Sequence, residues 1–178
     1  MILKIYLVKP DLMYFEQYNE MMEEWINSNT QIAPWFLEKP FQTIAEFAQF
    51  IRMLNDIEHG IVDKKFASST SYFAIDENDN LIGAGSLRHY LTEDGLHSWG
   101  HTGYGVRPSE RKKGYATQIE KCLLEEAKKR HIRRVLVGVH ESNTGSIRVI
   151  EKCGGKLENT VSFEEDPILI RRYWIDNR

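Results

Sequence analysis

The sequence is poor in cysteine and contains no long apolar run. Its 178 residues include two cysteines, Cys122 and Cys153, too few for a disulfide framework and without the spacing of metal ligands. No apolar stretch approaches the roughly 20 residues that a helix needs to cross a bilayer. The first ten residues lack the apolar core and cleavage site of a secretory signal. We therefore expect a cytoplasmic protein with free thiols, no metal site and no membrane partner.

The sequence also lacks a large excess of charge of either sign. The formal net charge of −3 gives no electrostatic reason to expect nucleic acid or an anionic membrane as the main partner. Hydrophobic residues make up 42% and charged residues 28% of the chain, a balance typical of globular proteins. Because no internal repeat or interdomain linker is visible, we predict one domain over residues 1–178.

Hydrophobic periodicity and turn residues predict alternating strands and helices. Thr43 and Glu46 form a capping box before the second helix, and Gly154-Gly155 is a stop signal after the fourth. Residues 28–42 have no clear period and are predicted as a loop, with turns at 77–80 and at Asp166-Pro167. The predicted strands are 2–8, 71–76, 81–89, 99–106, 134–140, 156–162 and 168–175, and the predicted helices are 12–27, 44–58, 115–130 and 144–153. This order indicates an α/β (α+β) fold, a mixed sheet with helices on both faces.

The most informative segment is the loop RPSERKKG between strand 99–106 and helix 115–130. A helix N-terminus presents unpaired N–H groups and a partial positive charge, which together form an anion site. Gly114 lets a phosphate approach the main chain closely, and small Ala116 does not obstruct it. Arg111, Lys112 and Lys113 add positive charge. A pyrophosphate suits this geometry, although such a basic loop is more often a solvated connection. The segment is neither a Walker A loop nor a three-glycine dinucleotide fingerprint.

Two motifs at this spacing resemble those of the GCN5-related N-acetyltransferase (GNAT) superfamily. Arg111-x-x-Gly114-x-Ala116 resembles motif A, and Asn143-Thr144-Gly145-Ser146 followed by Gly154 resembles motif B. The segments LRHYLTEDG, GHTGYGVRPSERKKGYAT, SNTGSIRVIEKCGGKLEN and IRRYWI are similar to one bacterial subgroup of predicted acetyltransferases. This resemblance covers about Tyr72 to Ile175, and the first 70 residues match in element order only.

The resemblance implies a mostly antiparallel GNAT-like sheet with two splayed parallel strands, 99–106 and 134–140, at the cofactor site. It implies transfer of an acetyl group from acetyl-CoA to an amine of a small molecule or protein, with a homodimer possible. Asn143 would contact the pantetheine arm or cap the following helix, and both roles can hold together. The residues that the resemblance places at the cofactor are Tyr104, Val106, Arg111, Lys112, Lys113, Gly114, Tyr115, Ala116, Thr117, Asn143 and Ser146.

The catalytic groups depart from the family's pattern. The family often has a tyrosine acid seven residues after the motif B asparagine, where this chain has Ile150. Family bases on the motif A strand often stand at the positions of Gly100 and Thr102, and neither residue is a base. His101 is the first candidate base, because histidine titrates near neutral pH. A regular strand would point His101 to the opposite face, and a buried structural histidine is the alternative.

Other side chains are weaker candidates for the chemistry and for the acceptor pocket. Tyr104 is a candidate acid or acceptor-positioning group, and His140 and Glu141 are further candidates that ordinary strand-end polarity also explains. The family usually builds its acceptor pocket near the aromatic residues here, although core packing explains them as well: Trp25, Trp35, Phe36 and Phe41.

Three functions remain open at this point. The first is an acetyltransferase, with or without a dedicated base beyond water and cofactor positioning. The second is a non-catalytic module that binds acyl-CoA, and the third is a binder of nucleotide phosphates.

Overall fold

The computed structural model describes residues 4–61, 66–163 and 166–178. Strands and helices alternate along the chain in the order that the sequence predicts. The strands are β1 (Tyr6–Val8), β2 (Ser69–Ile75), β3 (Leu81–Arg88), β4 (Thr102–Val106), β5 (Arg134–His140), β6 (Lys156–Phe163) and β7 (Asp166–Asp176). The helices are α1 (Phe15–Asn27), α2 (Ile44–Glu58), α3 (Tyr115–Lys129) and α4 (Thr144–Lys152).

The strands form two antiparallel sheets that meet at β4 and β5. The first sheet has the order β1-β2-β3-β4, and the second has the order β5-β7-β6. Within the described residues, β4 and β5 share no ladder. They are joined by an antiparallel bridge between Gly100, just before β4, and Val137, and by a hydrogen bond from the His101 N–H to the Leu136 carbonyl (2.7 Å). The strands predicted to splay at the cofactor site are therefore unpaired beyond this point.

Helices cover both faces of the first sheet, which separates two hydrophobic cores. On one face α1 and α2 pack an aromatic core around Tyr18, Phe47 and Phe73. On the other face α3 and α4 pack an aliphatic core around Ile119, Leu123 and Val137. The Thr43 capping box forms as predicted and fixes the start of α2. In this arrangement the gap between β4 and β5 lies between the two helix pairs.

Three boundaries differ from the sequence-based expectation. The strand predicted from residue 99 begins at Thr102, because Gly95–Trp99 form a five-residue π-helix that ends at Gly100 with φ 70°. The strand predicted over 2–8 spans Tyr6–Val8, and residues 1–3 lie outside the described part of the chain. The turn predicted at Asp166-Pro167 is wrong, because β7 already begins at Asp166.

None of the helices in the described part of the chain is long and apolar enough to span a bilayer. Among residues 4–61, 66–163 and 166–178, no cluster of His, Cys, Asp and Glu side chains could hold a metal ion. Both cysteines are free thiols.

The junction between β5 and the π-helix gives a test of the fold. A Cβ built at Gly138 would lie 1.6 Å from the Ser98 carbonyl oxygen, whereas one at Gly145 would meet only the Asn143 Oδ1, at 3.6 Å. We predict that Gly138→Ala lowers the free energy of unfolding by about 3 kcal/mol, because two backbone segments must separate. Gly145→Ala, the control, should change it by less than about 1 kcal/mol. Urea unfolding measures both, and equal effects would contradict the packing described.

Candidate active site

A cleft of about 830 Å³ opens between the end of β4, the N-terminus of α3 and the start of α4. The loop after α1 closes its fourth side with Thr30, Gln31 and Ala33. All eleven residues predicted from the sequence to bind the cofactor line this one cleft, although they come from three separate segments of the chain: Tyr104, Val106, Arg111, Lys112, Lys113, Gly114, Tyr115, Ala116, Thr117, Asn143 and Ser146.

The main chain of β4 presents polar groups to the gap beside β5. Hydrogen bonds from Arg88 N–H to the His101 carbonyl (2.8 Å) and from Arg107 N–H to the Ile82 carbonyl (2.9 Å) fix the alternation of the β3–β4 ladder. In an antiparallel pair only alternate residues bond to the partner strand. The N–H and C=O groups of Tyr104 and Val106 therefore face away from β3, toward the gap. An extended ligand could bond there as an added strand.

The N-terminus of α3 forms the second wall. Gly114 caps the helix in the left-handed conformation (φ 97°), and no side chain caps the first turn. The amides of Tyr115, Ala116 and Thr117 consequently have no intrahelical partner. The first turn carries no acidic side chain, so the partial positive charge of the helix end is not neutralised within the helix. These donors suit the oxygen atoms of a diphosphate.

Arg111 connects this wall of the cleft to the loop after α1. Its Nε donates to the Val106 carbonyl (3.1 Å) and an amino group donates to Thr30 Oγ1 (3.0 Å). Its guanidinium also lies over the ring of Trp25, 5.3 Å from the centroid. Arg111 thus fixes the shape of the cleft as well as adding charge to it.

A carboxylate on α1 accepts hydrogen bonds that fix the turn preceding α3. Glu24 accepts hydrogen bonds from Arg107 Nε (2.6 Å) and from the Ser109 N–H (3.1 Å). Partial burial raises the pKa of Glu24, but the bonds from Ser109 and Arg107 outweigh it and hold that pKa below its ordinary value. The carboxylate is therefore ionised near neutral pH and ties α1 to the cleft.

The α4 wall contains Asn143 and the partner of Tyr104. Asn143 Oδ1 accepts from the Ser146 N–H (3.0 Å), so the predicted capping role is confirmed, and the residue still lines the cleft. The Tyr104 hydroxyl donates to the Ser146 carbonyl (3.4 Å) across the cleft. Burial raises the pKa of Tyr104 above its ordinary value, so the phenol is protonated at neutral pH.

His101 lies outside the residues that line the cleft. Its side chain is buried, and Nδ1 accepts the N–H of Leu136 (2.9 Å), which ties β4 to β5. Burial lowers the pKa of His101 to about 4, so the imidazole is neutral at pH 7 and a weak proton acceptor. These contacts favour the structural alternative for His101, and the role of base stays a prediction.

The other candidates are dispersed. Glu141 pairs with Arg171 (2.8 Å) and, like His140, lies away from the cleft. Of the four aromatic residues, Trp25 lines the cleft, Phe36 and Phe41 pack in the aromatic core, and Trp35 is half exposed. Ile150, in the position where the family often has tyrosine, is fully buried.

Sequence reasoning missed Glu120, a carboxyl group that the fold buries completely beside β4. It lies on the core-facing side of α3, is 0% exposed, and Oε1 accepts the Thr102 hydroxyl (3.0 Å). Among the described residues Oε2 has no hydrogen-bond partner. Burial raises the pKa of Glu120 to about 7, against the hydrogen bond from Thr102. The available signal was its position one residue after Ile119, three before Leu123 and seven before Ala127 on the buried stripe of the helix.

Comparison with known proteins identifies the family. A family model described as an acetyltransferase (GNAT) domain matches residues 10–156. Curated proteins give no match. Solved structures give the same fold at low identity. The microcin C7 self-immunity acetyltransferase MccE, in complex with acetyl-CoA and AMP, has 17% identity and a TM-score of 0.68 over 97% of this chain and 92% of its own.

Two further structures are similar over nearly the whole chain. RimL, a ribosomal L7/L12 α-N-protein acetyltransferase in complex with coenzyme A, has 15% identity and a TM-score of 0.67, covering 98% of this chain and 96% of its own. A dodecameric spermidine N-acetyltransferase from Vibrio cholerae has 18% identity and a TM-score of 0.62, covering 98% and 94%.

The chain belongs to the GNAT acetyltransferase family. The predicted membership and fold class are confirmed, and so is the predicted function at the level of the family, acetyl-CoA-dependent transfer of an acetyl group to an amine.

The buried carboxyl gives a pH prediction. The pKa of Glu120 is raised in the folded chain from an ordinary 4.5 to about 7, so its contribution to stability is fully present below pH 4.5 and is lost as pH rises to about 7. This difference corresponds to about 3 kcal/mol. We predict that Glu120→Gln removes this decline. Urea unfolding between pH 4.5 and 8 measures it, with Glu125→Gln on the exposed side of α3 as the control. The same pH dependence in all three proteins would contradict the burial of an ionisable group.

Proposed function

We propose that this cleft carries out acetyl transfer from acetyl-CoA to an amine of a small molecule or protein, with the diphosphate on the α3 N-terminus and the pantetheine arm along β4. The observation that supports it most is the convergence of all eleven predicted cofactor residues on one cleft. The unpaired amides after Gly114 suit the diphosphate, and the outward-facing main chain of Tyr104 and Val106 suits the amides of the arm.

The cleft supplies donors rather than a strong base. The acceptor amine must be neutral to attack the thioester, and we propose that it loses its proton to water, since burial depresses the pKa of His101. The Val106 N–H faces the gap and could stabilise the oxygen that gains negative charge. We assign to Tyr104 the role of acid toward the departing thiolate, because its phenol is protonated and lines the cleft.

Location and assembly stay predictions. We propose a cytoplasmic enzyme of one domain that forms a homodimer; sedimentation equilibrium of the purified chain would test the dimer.

The cofactor loop is tested by a charge reversal with a matched control. We predict that Gly114→Glu abolishes coenzyme A binding, because its carboxylate would occupy the place proposed for the diphosphate. Gly154→Glu carries the same charge at a glycine with similar backbone strain (φ 88° against 97°) and open space around it. It should bind coenzyme A like the parent chain in calorimetry. Unchanged affinity in folded Gly114→Glu would contradict the assigned loop.

Turnover separates the enzyme from the binding module. Release of coenzyme A thiol over a panel of amines is expected for the parent chain, whereas tight acetyl-CoA binding without thiol release would favour the module. We predict that Tyr104→Phe lowers kcat about 10- to 100-fold with little change in acetyl-CoA affinity, because a general acid contributes roughly that much or more. A full rate in Tyr104→Phe would remove Tyr104 as the acid. If ATP stabilised the folded chain against unfolding as well as coenzyme A does, the result would support a binder of nucleotide phosphates instead.

A further inference from the structure

A row of polar side chains lies on the α1/α2 side of the first sheet, where β2 and β4 begin and β3 ends. The register pairs Ser71 with Ser86 and Ser69 with Arg88. Directly paired side chains share one face of a sheet, with Cβ atoms about 4.5–5.5 Å apart. His101 joins the row, because its carbonyl accepts the Arg88 N–H (2.8 Å). We call these residues the polar face: Ser69, Ser71, Ser86, Arg88 and His101.

The three hydroxyls of the polar face are buried without partners. Ser69, Ser71 and Ser86 are 1%, 4% and 0% exposed. None of their hydroxyl oxygens has a hydrogen-bond partner among the described residues. A buried hydroxyl that makes no hydrogen bond destabilises the fold, so three on one face are unusual. Their missing partners would have to come from outside the protein, either water or a ligand.

Arg88 adds a cation without a matching anion. One amino group donates to the Gly100 carbonyl (3.1 Å), and no carboxylate of the described chain lies within 4.0 Å of the guanidinium. Burial lowers the pKa of Arg88, and no acidic group offsets this effect. Arg88 is half-buried, so an anion would stabilise its charge, and the planar guanidinium fits a carboxylate best.

His101 contributes a further donor. Its Nδ1 accepts the Leu136 N–H, so the neutral ring carries its proton on Nε2. Arg88 lies opposite His101 in the row, and its charge is one cause of the lowered pKa of His101, after burial. The row therefore combines hydroxyls, a cation and an N–H donor, with no acidic side chain among the described residues that form it.

The polar face adjoins the inner part of the cleft. A Cβ at Gly103 would lie 3.3 Å from Ser86 Oγ and 3.5 Å from Pro34 Cβ, so Gly103 brings Ser86 and the loop after α1 close to β4. Gly105, two residues further along the same face of β4, lines the cleft. An acceptor seated on the polar face would thus meet β4 from the side opposite α3 and α4.

We propose that the polar face binds the carboxylate of the acceptor, which is therefore an amino acid or another amine that carries a carboxylate. This inference rests on the proposed function, since it names the acceptor class of that same site. Arg88 pairs with the carboxylate, and the serine hydroxyls donate to its oxygen atoms. A polyamine such as spermidine would meet a cation where it needs an anion, and repulsion is an effective means of exclusion.

The first test compares matched acceptors on the parent chain. Thiol release is measured with the proteinogenic amino acids, with their carboxamides and with spermidine. The best amino acid is expected to exceed its own carboxamide in kcat/KM by about 10-fold or more, since removal of one partner of a buried charged pair has at least that effect. Equal use of acid and amide, or a preference for spermidine, would overturn the proposal.

The second test changes the polar face. Arg88→Gln is expected to raise KM for the preferred acid about 10-fold and to bring the ratio of acid to amide near 1, with unchanged coenzyme A affinity in calorimetry. Arg52→Gln, an exposed arginine on α2, is the control. Ser86→Ala removes only an unpartnered hydroxyl, so it is expected to fold at least as stably as the parent while KM rises several-fold. An unaltered KM in both folded variants would overturn the proposal.

Failure of the proposed function would look different, because the parent chain would then turn over none of the acceptors. Titration of N-acetylated amino acids into the coenzyme A-saturated chain still tests the polar face in that case. Binding to the parent that Arg88→Gln loses supports the carboxylate site, and no binding to the parent overturns it.

Discussion

The gap between β4 and β5 is the constraint on which the rest of this structure depends. Within the described chain, main-chain hydrogen bonds join the two segments only near Gly100 and His101, so the N–H groups of Tyr104 and Val106 and the Tyr104 carbonyl are left facing the gap. Buried main-chain groups require partners. An extended ligand that carries its own amides would satisfy this requirement, and the diphosphate site proposed at the N-terminus of α3 lines the same cleft.

Contacts with neighbouring segments fix the positions of the strands and loops around the gap. Gly138 lets the Ser98 carbonyl approach β5 closely, and the His101 ring bonds to Leu136 between the strands. Arg111 ties the loop after α1 to the end of β4, and Glu24 ties α1 to the turn before α3. These contacts come from separate parts of the sequence, so the cleft depends on the whole fold rather than on motif A alone.

The sequence predicted the cleft better than the chemistry within it. Gly114, the basic residues before it and Asn143 belong to short motifs whose geometry is local, since it depends on a helix N-terminus and a cap. The positions of His101 and Glu120 depend on what lies across the sheet. The π-helix before β4 shifts the start of that strand, and the Leu136 N–H donates a hydrogen bond to the imidazole of His101. Hydrophobic periodicity predicts neither feature.

The register of the first sheet explains why the polar face was not predicted from the sequence. Ser69, Ser71 and Ser86 are common strand residues with no motif, and only the register of β2, β3 and β4 brings them beside Arg88. The two faces of β4 thus have different chemistry. Thr102, Tyr104 and Val106 face α3, whereas Gly103 and Gly105 face the loop after α1, whose Ala33 carbonyl oxygen would lie 1.9 Å from a Cβ at Gly105.

Amide hydrogen exchange with and without coenzyme A tests the central claim most directly. The account predicts that the ligand slows exchange at the amides of Tyr104, Val106 and residues 114–117, because these main-chain donors are the ones it is proposed to engage. Exchange in the aromatic core between α1 and α2 should change far less. Protection confined to other segments, with exchange at β4 and at the α3 N-terminus unchanged by saturating coenzyme A, would contradict it.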